Sequence, residues 1–137
     1  VAYLFSHSFQ TSWLLPATFS GMMAAAVLNL NNLRDHENDA VSGKNTLVVR
    51  MGFKNAKRYH LILMTAGWTC MLAFLLGMGE LEAWKGGIWY VIIALIHLKH
   101  VVFVMQNEDP KLLDQELKKI ALSAFVVALF MILSVTA

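Results

Sequence analysis

Residues 12–39 read SWLLPATFSGMMAAAVLNLNNLRDHEND, an uncharged run of 19 residues that ends in a polar stretch with four charged side chains. A helix of that length rises about 28 Å, close to the ~30 Å hydrocarbon core of a bilayer. The run at 12–30 is therefore predicted to span a membrane. The stretch from Asn31 to Asp39 must lie at a membrane surface or in a water-filled cavity, because each Arg or Asp at the bilayer centre costs about 2.5–3.5 kcal/mol.

The rest of the chain is equally apolar. Of its 137 residues, 58% are hydrophobic and 15% are charged, with a mean hydropathy of +0.57; an ordinary soluble domain carries about 25% charged residues. Further apolar runs predict spanning helices at about 61–79, 84–105 and 120–137. The predicted fold class is all-α, a polytopic transmembrane helix bundle in which residues 1–137 form a single domain. A lipid bilayer is the expected environment, and a net charge of +2 does not favour nucleic-acid binding.

The third predicted span contains an interruption at Lys99 and His100. Either the helix crosses from about 84 to 105, with these residues near one end, or only the part before Lys99 lies in lipid. The longer helix is favoured, because a lysine near a helix end can extend its ammonium to the interface. In this interpretation Trp84 and Trp89 anchor the opposite interface, and His97 and His100 are expected at the interface more than in a proton path.

The distribution of cations predicts the orientation of the helices. Residues 31–60 hold six of the eleven Lys and Arg residues, the connection at 80–85 holds one, and residues 106–119 hold three. Loops rich in Lys and Arg face the cytoplasm. Residues 31–60 are therefore predicted to form a cytoplasmic loop. The chain begins without Met or a signal-peptide pattern, so we expect it to be a fragment of a longer protein.

Acidic and amide side chains recur every four residues at the start of this loop. If the preceding helix continues, Asn31, Asp35 and Asp39 share one face, and the two carboxylates repel each other by roughly 0.2–0.5 kcal/mol without a lysine at the same spacing to compensate. Oxygen ligands of this kind suit Mg²⁺, which commonly binds through one or two carboxylates and the phosphates of a substrate. Lys44 and Arg50 follow in flexible sequence and could fold back onto an anion. The alternative is an ordinary solvated helix end.

The same residues resemble a known family. The pattern Asn31-x-x-Arg34-Asp35-x-x-x-Asp39, followed by Gly43-Lys44-x-Thr46-Leu47-x-Val49-Arg50-x-Gly52, resembles the second aspartate-rich motif of the UbiA-type intramembrane aromatic prenyltransferases. Within that superfamily it is most similar to the 1,4-dihydroxy-2-naphthoate polyprenyltransferases of menaquinone biosynthesis. The resemblance is specific over residues 31–59.

The resemblance implies a nine-helix bundle with two aspartate-rich motifs at the cytoplasmic mouth of a central cavity, of which this chain would supply the last four helices. It also implies Mg²⁺-dependent transfer of a polyprenyl group from polyprenyl diphosphate to 1,4-dihydroxy-2-naphthoate, with loss of diphosphate and carboxylate, in a bacterial inner membrane. Only one such motif is present, so the chain alone is expected to be inactive. The implied site residues are Asp35 and Asp39, catalytic through Mg²⁺, with Asn31 nearby on the metal, and Asn31, Arg34, Lys44 and Arg50 on the diphosphate.

Three alternatives stay open at this point. The acceptor could be another aromatic compound within the same superfamily. The CDP-alcohol phosphotransferases also place aspartates four residues apart, but their signature includes an Asp-Gly and an Ala-Arg pair that this sequence lacks. A non-enzymatic ion carrier is the third, although carriers usually bind ions near the bilayer midplane on broken helices.

Overall fold

Long helices make up nearly all of the structure. The computed structural model describes residues 7, 9–77 and 80–136, and in 80–86 and 131–136 it describes the backbone alone. No strand occurs within those ranges, so the predicted all-α class is confirmed. The helices are α1 (Leu14–Val41), α2 (Leu47–Met51), α3 (Phe53–Gly77), α4 (Glu80–Gln106) and α5 (Leu113–Thr136), with 3₁₀ turns at Thr11–Trp13 and Pro110–Leu112.

Two predicted boundaries are wrong. The loop expected to begin at residue 31 is helical up to Val41, because α1 runs for 28 residues, about 42 Å, and ends beyond the aspartate-rich stretch. The connection expected at 80–85 is instead the start of α4. Residues 31–41 and 80–85 include good helix formers and contain no Gly or Pro, so nothing in either segment interrupts the hydrogen-bonded backbone.

Within the part of the chain that the structure describes, three helices are long and apolar enough to cross a membrane. They lie at Thr11–Val41, Phe53–Gly77 and Gly87–Gln106, with mean hydropathies of 1.4, 1.7 and 2.0. These ranges agree with the first three predicted spans. The span predicted at 120–137 is not among them, and it stays a prediction. Its last seven side chains lie outside the described residues. The same is true of residues 78–79 in the second predicted span and of the Trp84 side chain in the third.

The core lies mainly between α1 and α3. Gly67 of α3 faces Met22 and Met23 of α1. A Cβ added at Gly67 would lie 2.8 Å from Met23 Cε and 3.2 Å from Met22 Cβ. The glycine therefore lets the two helix backbones approach closely. A few residues further along, Asn29 Nδ2 donates a hydrogen bond to the Ala56 carbonyl at 3.0 Å, which joins the same helices inside the core.

The end of α4 is held by a lysine of α3. Lys57 Nζ donates to the carbonyls of Met105 at 3.1 Å and Asn107 at 2.9 Å, and it lies 5.2 Å from the centroid of the Phe53 ring. The Met105 carbonyl has no partner inside α4, because the last four carbonyls of a helix lack intrahelical donors, and Asn107 lies just beyond the helix. Lys57 thus positions the connection between α4 and α5 close to the beginning of α3.

We predict that Gly67→Val destabilises the protein by about 1–3 kcal/mol, because the new side chain overpacks the contact with Met22 and Met23. Gly21→Ala is the matched control, since nothing lies within 4 Å of its added Cβ. The control should stabilise α1 by about 0.5–1 kcal/mol. Thermal unfolding of the purified protein in detergent measures both, and equal effects of the two variants would contradict the close packing at Gly67.

Candidate functional site

The aspartate-rich stretch forms the last turns of α1. Because the helix is continuous to Val41, Asn31, Asp35 and Asp39 follow one another at intervals of four residues and share a face, as predicted. Asp39 is 5% exposed, whereas Asn31 and Asp35 are half-buried. The oxygen atoms of this row thus lie on a rigid element rather than in a loop.

Arg34 connects two members of the row to another helix. Its guanidinium donates to Asp35 through Nε and Nη2, both at 2.8 Å, to Asn31 Oδ1 at 2.9 Å and to Asp114 Oδ1 of α5 at 3.0 Å. A planar guanidinium is suited to such forked contacts. Asp114 lies 80 residues away in sequence, so the pattern of the motif does not indicate it. Near Asp114 the sequence shows only a lysine four residues later, Lys118, with which Asp114 forms an ion pair of 2.8 Å.

The third carboxylate of the row has its own cation. Gly43 adopts a φ of +75°, which a side chain would disfavour, and the resulting turn places the Lys44 N–H 2.9 Å from the Asp39 carbonyl. The Lys44 ammonium then donates to Asp39 Oδ1 at 3.0 Å. The expectation that nothing local compensates the carboxylate repulsion is therefore wrong: Arg34 pairs with Asp35, and Lys44 pairs with Asp39.

Arg50 is the candidate residue that the structure leaves apart. It lies in the last turn of the short helix α2, exposed to solvent, and it belongs to neither ion pair of the motif. The helix itself is capped by Thr46, whose Oγ1 accepts a hydrogen bond from the Val49 N–H at 3.3 Å. Val48 is fully buried, so the segment after the motif packs against the helices.

The donor atoms of the row fit a hard cation. Carboxylate and amide oxygens are the ligands that Mg²⁺ prefers. Among the described residues no three His, Cys, Asp or Glu side chains come together to form a metal centre. Asp35, Asp39 and Asn31 offer oxygen atoms of this kind on one face of α1.

A second group of polar residues is buried between α3, α4 and α5. His60 Nε2 and His100 Nε2 share a hydrogen bond of 2.9 Å, and His100 Nδ1 lies 2.7 Å from Glu116 Oε2. The other carboxylate oxygen, Glu116 Oε1, accepts from Lys119 Nζ at 2.6 Å. Burial raises the pKa of Glu116, but the hydrogen bonds from Lys119 and His100 outweigh this and leave its pKa below the usual value. Glu116 is therefore ionised at neutral pH.

The remaining histidine of this region also has partners. His97 Nδ1 accepts a hydrogen bond from Trp68 Nε1 at 3.0 Å, and because indole can only donate, Nε2 of the neutral ring carries the proton toward Ser123 Oγ at 2.6 Å. His97 and His100 are 1% and 3% exposed. Partners on α3 and α5 satisfy their nitrogens inside the bundle, and the expectation that they lie at the depth of the membrane interface stays a prediction. Lys99, between them, is exposed.

A family model described as the UbiA prenyltransferase family matches residues 1–125, which include the whole aspartate-rich stretch and Asp114. The chain belongs to this family. The resemblance seen over residues 31–59 thus extends over most of the sequence.

Two curated relatives of this UbiA-family chain are named as enzymes. It is 37% identical over 134 residues to the 1,4-dihydroxy-2-naphthoate octaprenyltransferase of Escherichia coli (strain K12), a match that covers 97% of this chain and 42% of that protein. It is 38% identical over 125 residues to the enzyme of the same name from Haemophilus influenzae (strain ATCC 51907 / DSM 11121 / KW20 / Rd), covering 91% of this chain and 40% of that protein. The chain thus spans about two fifths of the length of these relatives. No solved structure gives a significant match.

The contact between α1 and α5 in this UbiA-family chain should depend on pH. The hydrogen bond from Lys118, and then that from Arg34, hold the pKa of Asp114 below its usual value of 3.8. A carboxyl whose pKa is lowered by folding contributes stability at neutral pH and loses it as the pH falls through the folded pKa. We therefore predict that Asp114→Asn lowers the melting temperature at pH 7 and that the difference from the unchanged protein closes below about pH 4.

Glu108→Gln is the matched control for this measurement, because Glu108 is an exposed acid in the connection just before α5. It should leave the melting temperature unchanged at both pH values. A difference for Asp114→Asn that persists in acid would contradict an ion pair as its cause.

Proposed function

We propose that the full-length protein transfers a polyprenyl group from polyprenyl diphosphate to 1,4-dihydroxy-2-naphthoate in a Mg²⁺-dependent reaction that releases diphosphate and carboxylate. The observation that carries this proposal is the row of oxygen ligands at the end of a spanning helix, with a guanidinium and an ammonium in contact with it. The similarity to two 1,4-dihydroxy-2-naphthoate octaprenyltransferases supports the choice of this acceptor over other aromatic compounds.

The roles of the side chains follow from their contacts. Asp35 and Asp39, with Asn31, would hold Mg²⁺, which when bound neutralises the diphosphate and so helps it to leave. Arg34 and Lys44 now neutralise the two carboxylates. When substrate enters, their N–H groups can turn from the carboxylates to the diphosphate oxygens, and the carboxylates become available to the metal. Both cations are thus kept beside the place where the negative charge of the leaving group develops.

Water must be kept from the allylic cation that forms when the diphosphate leaves. The helix that carries the motif is apolar before Asn29, and its neighbour α3 is apolar from Leu61 onward. A prenyl chain that extends from the motif into the bilayer would pass along these surfaces. The electron-rich naphthoate ring then attacks the cation in place of water, at the carbon that bears the carboxylate. The carboxylate leaves as CO₂, and the electron pair of the broken C–C bond restores the aromatic system.

The position of the motif also argues against an ion carrier. It lies at the end of α1, beside the cation-rich segment 42–58, and not at a break near the middle of a span. We place this end at the cytoplasmic face of a bacterial inner membrane, on the basis of the lysines and arginines that follow it. The other half of the Mg²⁺ site would come from the part of the protein outside this chain.

We predict that Asp35→Asn and Asp39→Asn each lower prenyl transfer by the full-length protein about 100-fold or more and abolish Mg²⁺-dependent binding of polyprenyl diphosphate, because each change removes an anionic ligand. Glu37→Gln is the matched control. It removes the same charge from the same helix, but Glu37 is exposed and lies two residues from each aspartate, on another face. Binding that survives both aspartate changes, or is lost in the control, would refute the proposed site.

The chain by itself is predicted to be inactive, since it contains a single aspartate-rich motif. Expressed alone in membranes, it should transfer no prenyl group, and coexpression with the remaining part of the full-length protein as a second polypeptide should restore transfer. The test is formation of radiolabelled prenylated naphthoquinol in membrane extracts. Transfer by the chain alone would show that the second motif is unnecessary.

A further inference from the structure

A cleft of about 300 Å³ lies between α4 and α5, and no residue of the aspartate-rich motif lines it. Both of its walls carry ionisable groups: His97, Lys99 and His100 come from α4, and Glu116 and Lys119 come from α5. A cleft of this size is at the lower limit for small-molecule sites. None of these residues has a role in the proposed prenyl transfer.

The cleft lies near one end of both helices. Lys99 precedes the end of α4 at Gln106 by seven residues, and Lys119 follows the start of α5 at Leu113 by six, so each lies about 10 Å from the helix end along its axis. The two ends are joined by a short connection and therefore lie at the same membrane surface. Lysines at such a depth extend their ammonium groups to the level of lipid head groups.

The charges of the cleft do not cancel. Glu116 is buried and accepts from both Lys119 and His100, whereas the Lys119 side chain is 59% exposed and uses one of its three donors on Glu116. No ion pair joins Lys99 to any residue that the structure describes. With neutral imidazoles, two ammonium groups and one carboxylate leave a net charge of about +1. A phosphodiester, which carries one negative charge, complements it.

We propose that this cleft binds the phosphodiester of an anionic phospholipid, with Lys99 and Lys119 as its donors. Glu116 holds Lys119 in position, and the exposed side chains of Ile96 and Phe103, which also line the cleft, provide an apolar surface for the acyl chains. Basic clefts between spanning helices at a membrane surface are suited to lipid head groups. The inference is independent of the proposed prenyl transfer.

The test uses the full-length protein in a neutral detergent, with binding of phosphatidylglycerol measured by native mass spectrometry and phosphatidylcholine as the zwitterionic comparison. Lys99→Gln and Lys119→Gln should each weaken phosphatidylglycerol binding roughly fivefold. Lys111 is an exposed lysine just before the start of α5 and outside the cleft, so Lys111→Gln should leave phosphatidylglycerol binding unchanged. Equal binding of the two lipids, or equal effects of the three variants, would overturn the proposal.

Glu116→Gln separates binding from any loss of folding. Glutamine still accepts from Lys119, but the change raises the charge of the cleft by one, so phosphatidylglycerol binding should become severalfold tighter, whereas a damaged fold would weaken it. Inorganic phosphate at millimolar concentration should not displace the lipid, because it lacks acyl chains to bind Ile96 and Phe103. Full displacement would instead identify a site for free anions, and it would overturn the lipid proposal.

Discussion

The close packing of α1 against α3 is the contact on which the rest of the structure depends. Gly67 permits it, and the hydrogen bond from Asn29 to the Ala56 carbonyl sets the relative height of the two helices. With that height set, Lys57 at the beginning of α3 reaches the carbonyls at the end of α4, and the connection to α5 follows. Asp114 is thereby brought to the guanidinium at the end of α1.

In the reaction that we propose, the aspartate-rich motif combines two functions that compete for the same atoms. The carboxylates must be neutralised while no substrate is bound, because uncompensated charge at the membrane surface is costly. For the proposed reaction, the same carboxylates would have to become free to bind a metal when the diphosphate arrives. A guanidinium and an ammonium that can exchange a carboxylate for a phosphate satisfy both requirements, and the exchange keeps the number of charge-assisted hydrogen bonds nearly constant.

The sequence was sufficient for the features that depend on neighbours along the chain. Uncharged runs identified the first three spanning helices, and the interval of four residues placed Asn31, Asp35 and Asp39 on one face. Features that depend on distant residues were missed. The burial of His97 and His100 follows from Trp68, Ser123 and Glu116 on neighbouring helices, and the link from Arg34 to Asp114 joins residues 80 positions apart.

The length of α1 couples the motif to the thickness of the membrane. The helix is about 42 Å long and unbroken from Leu14 to Val41, whereas the hydrocarbon core is ~30 Å thick. Its surplus third carries Asp35 and Asp39, so their height above the acyl chains is set by helix tilt and not by loop conformation. A thicker bilayer brings the carboxylates closer to the glycerol backbone, and a thinner one raises them into water. Lipid acyl-chain length is thus a physical variable that acts directly on this site.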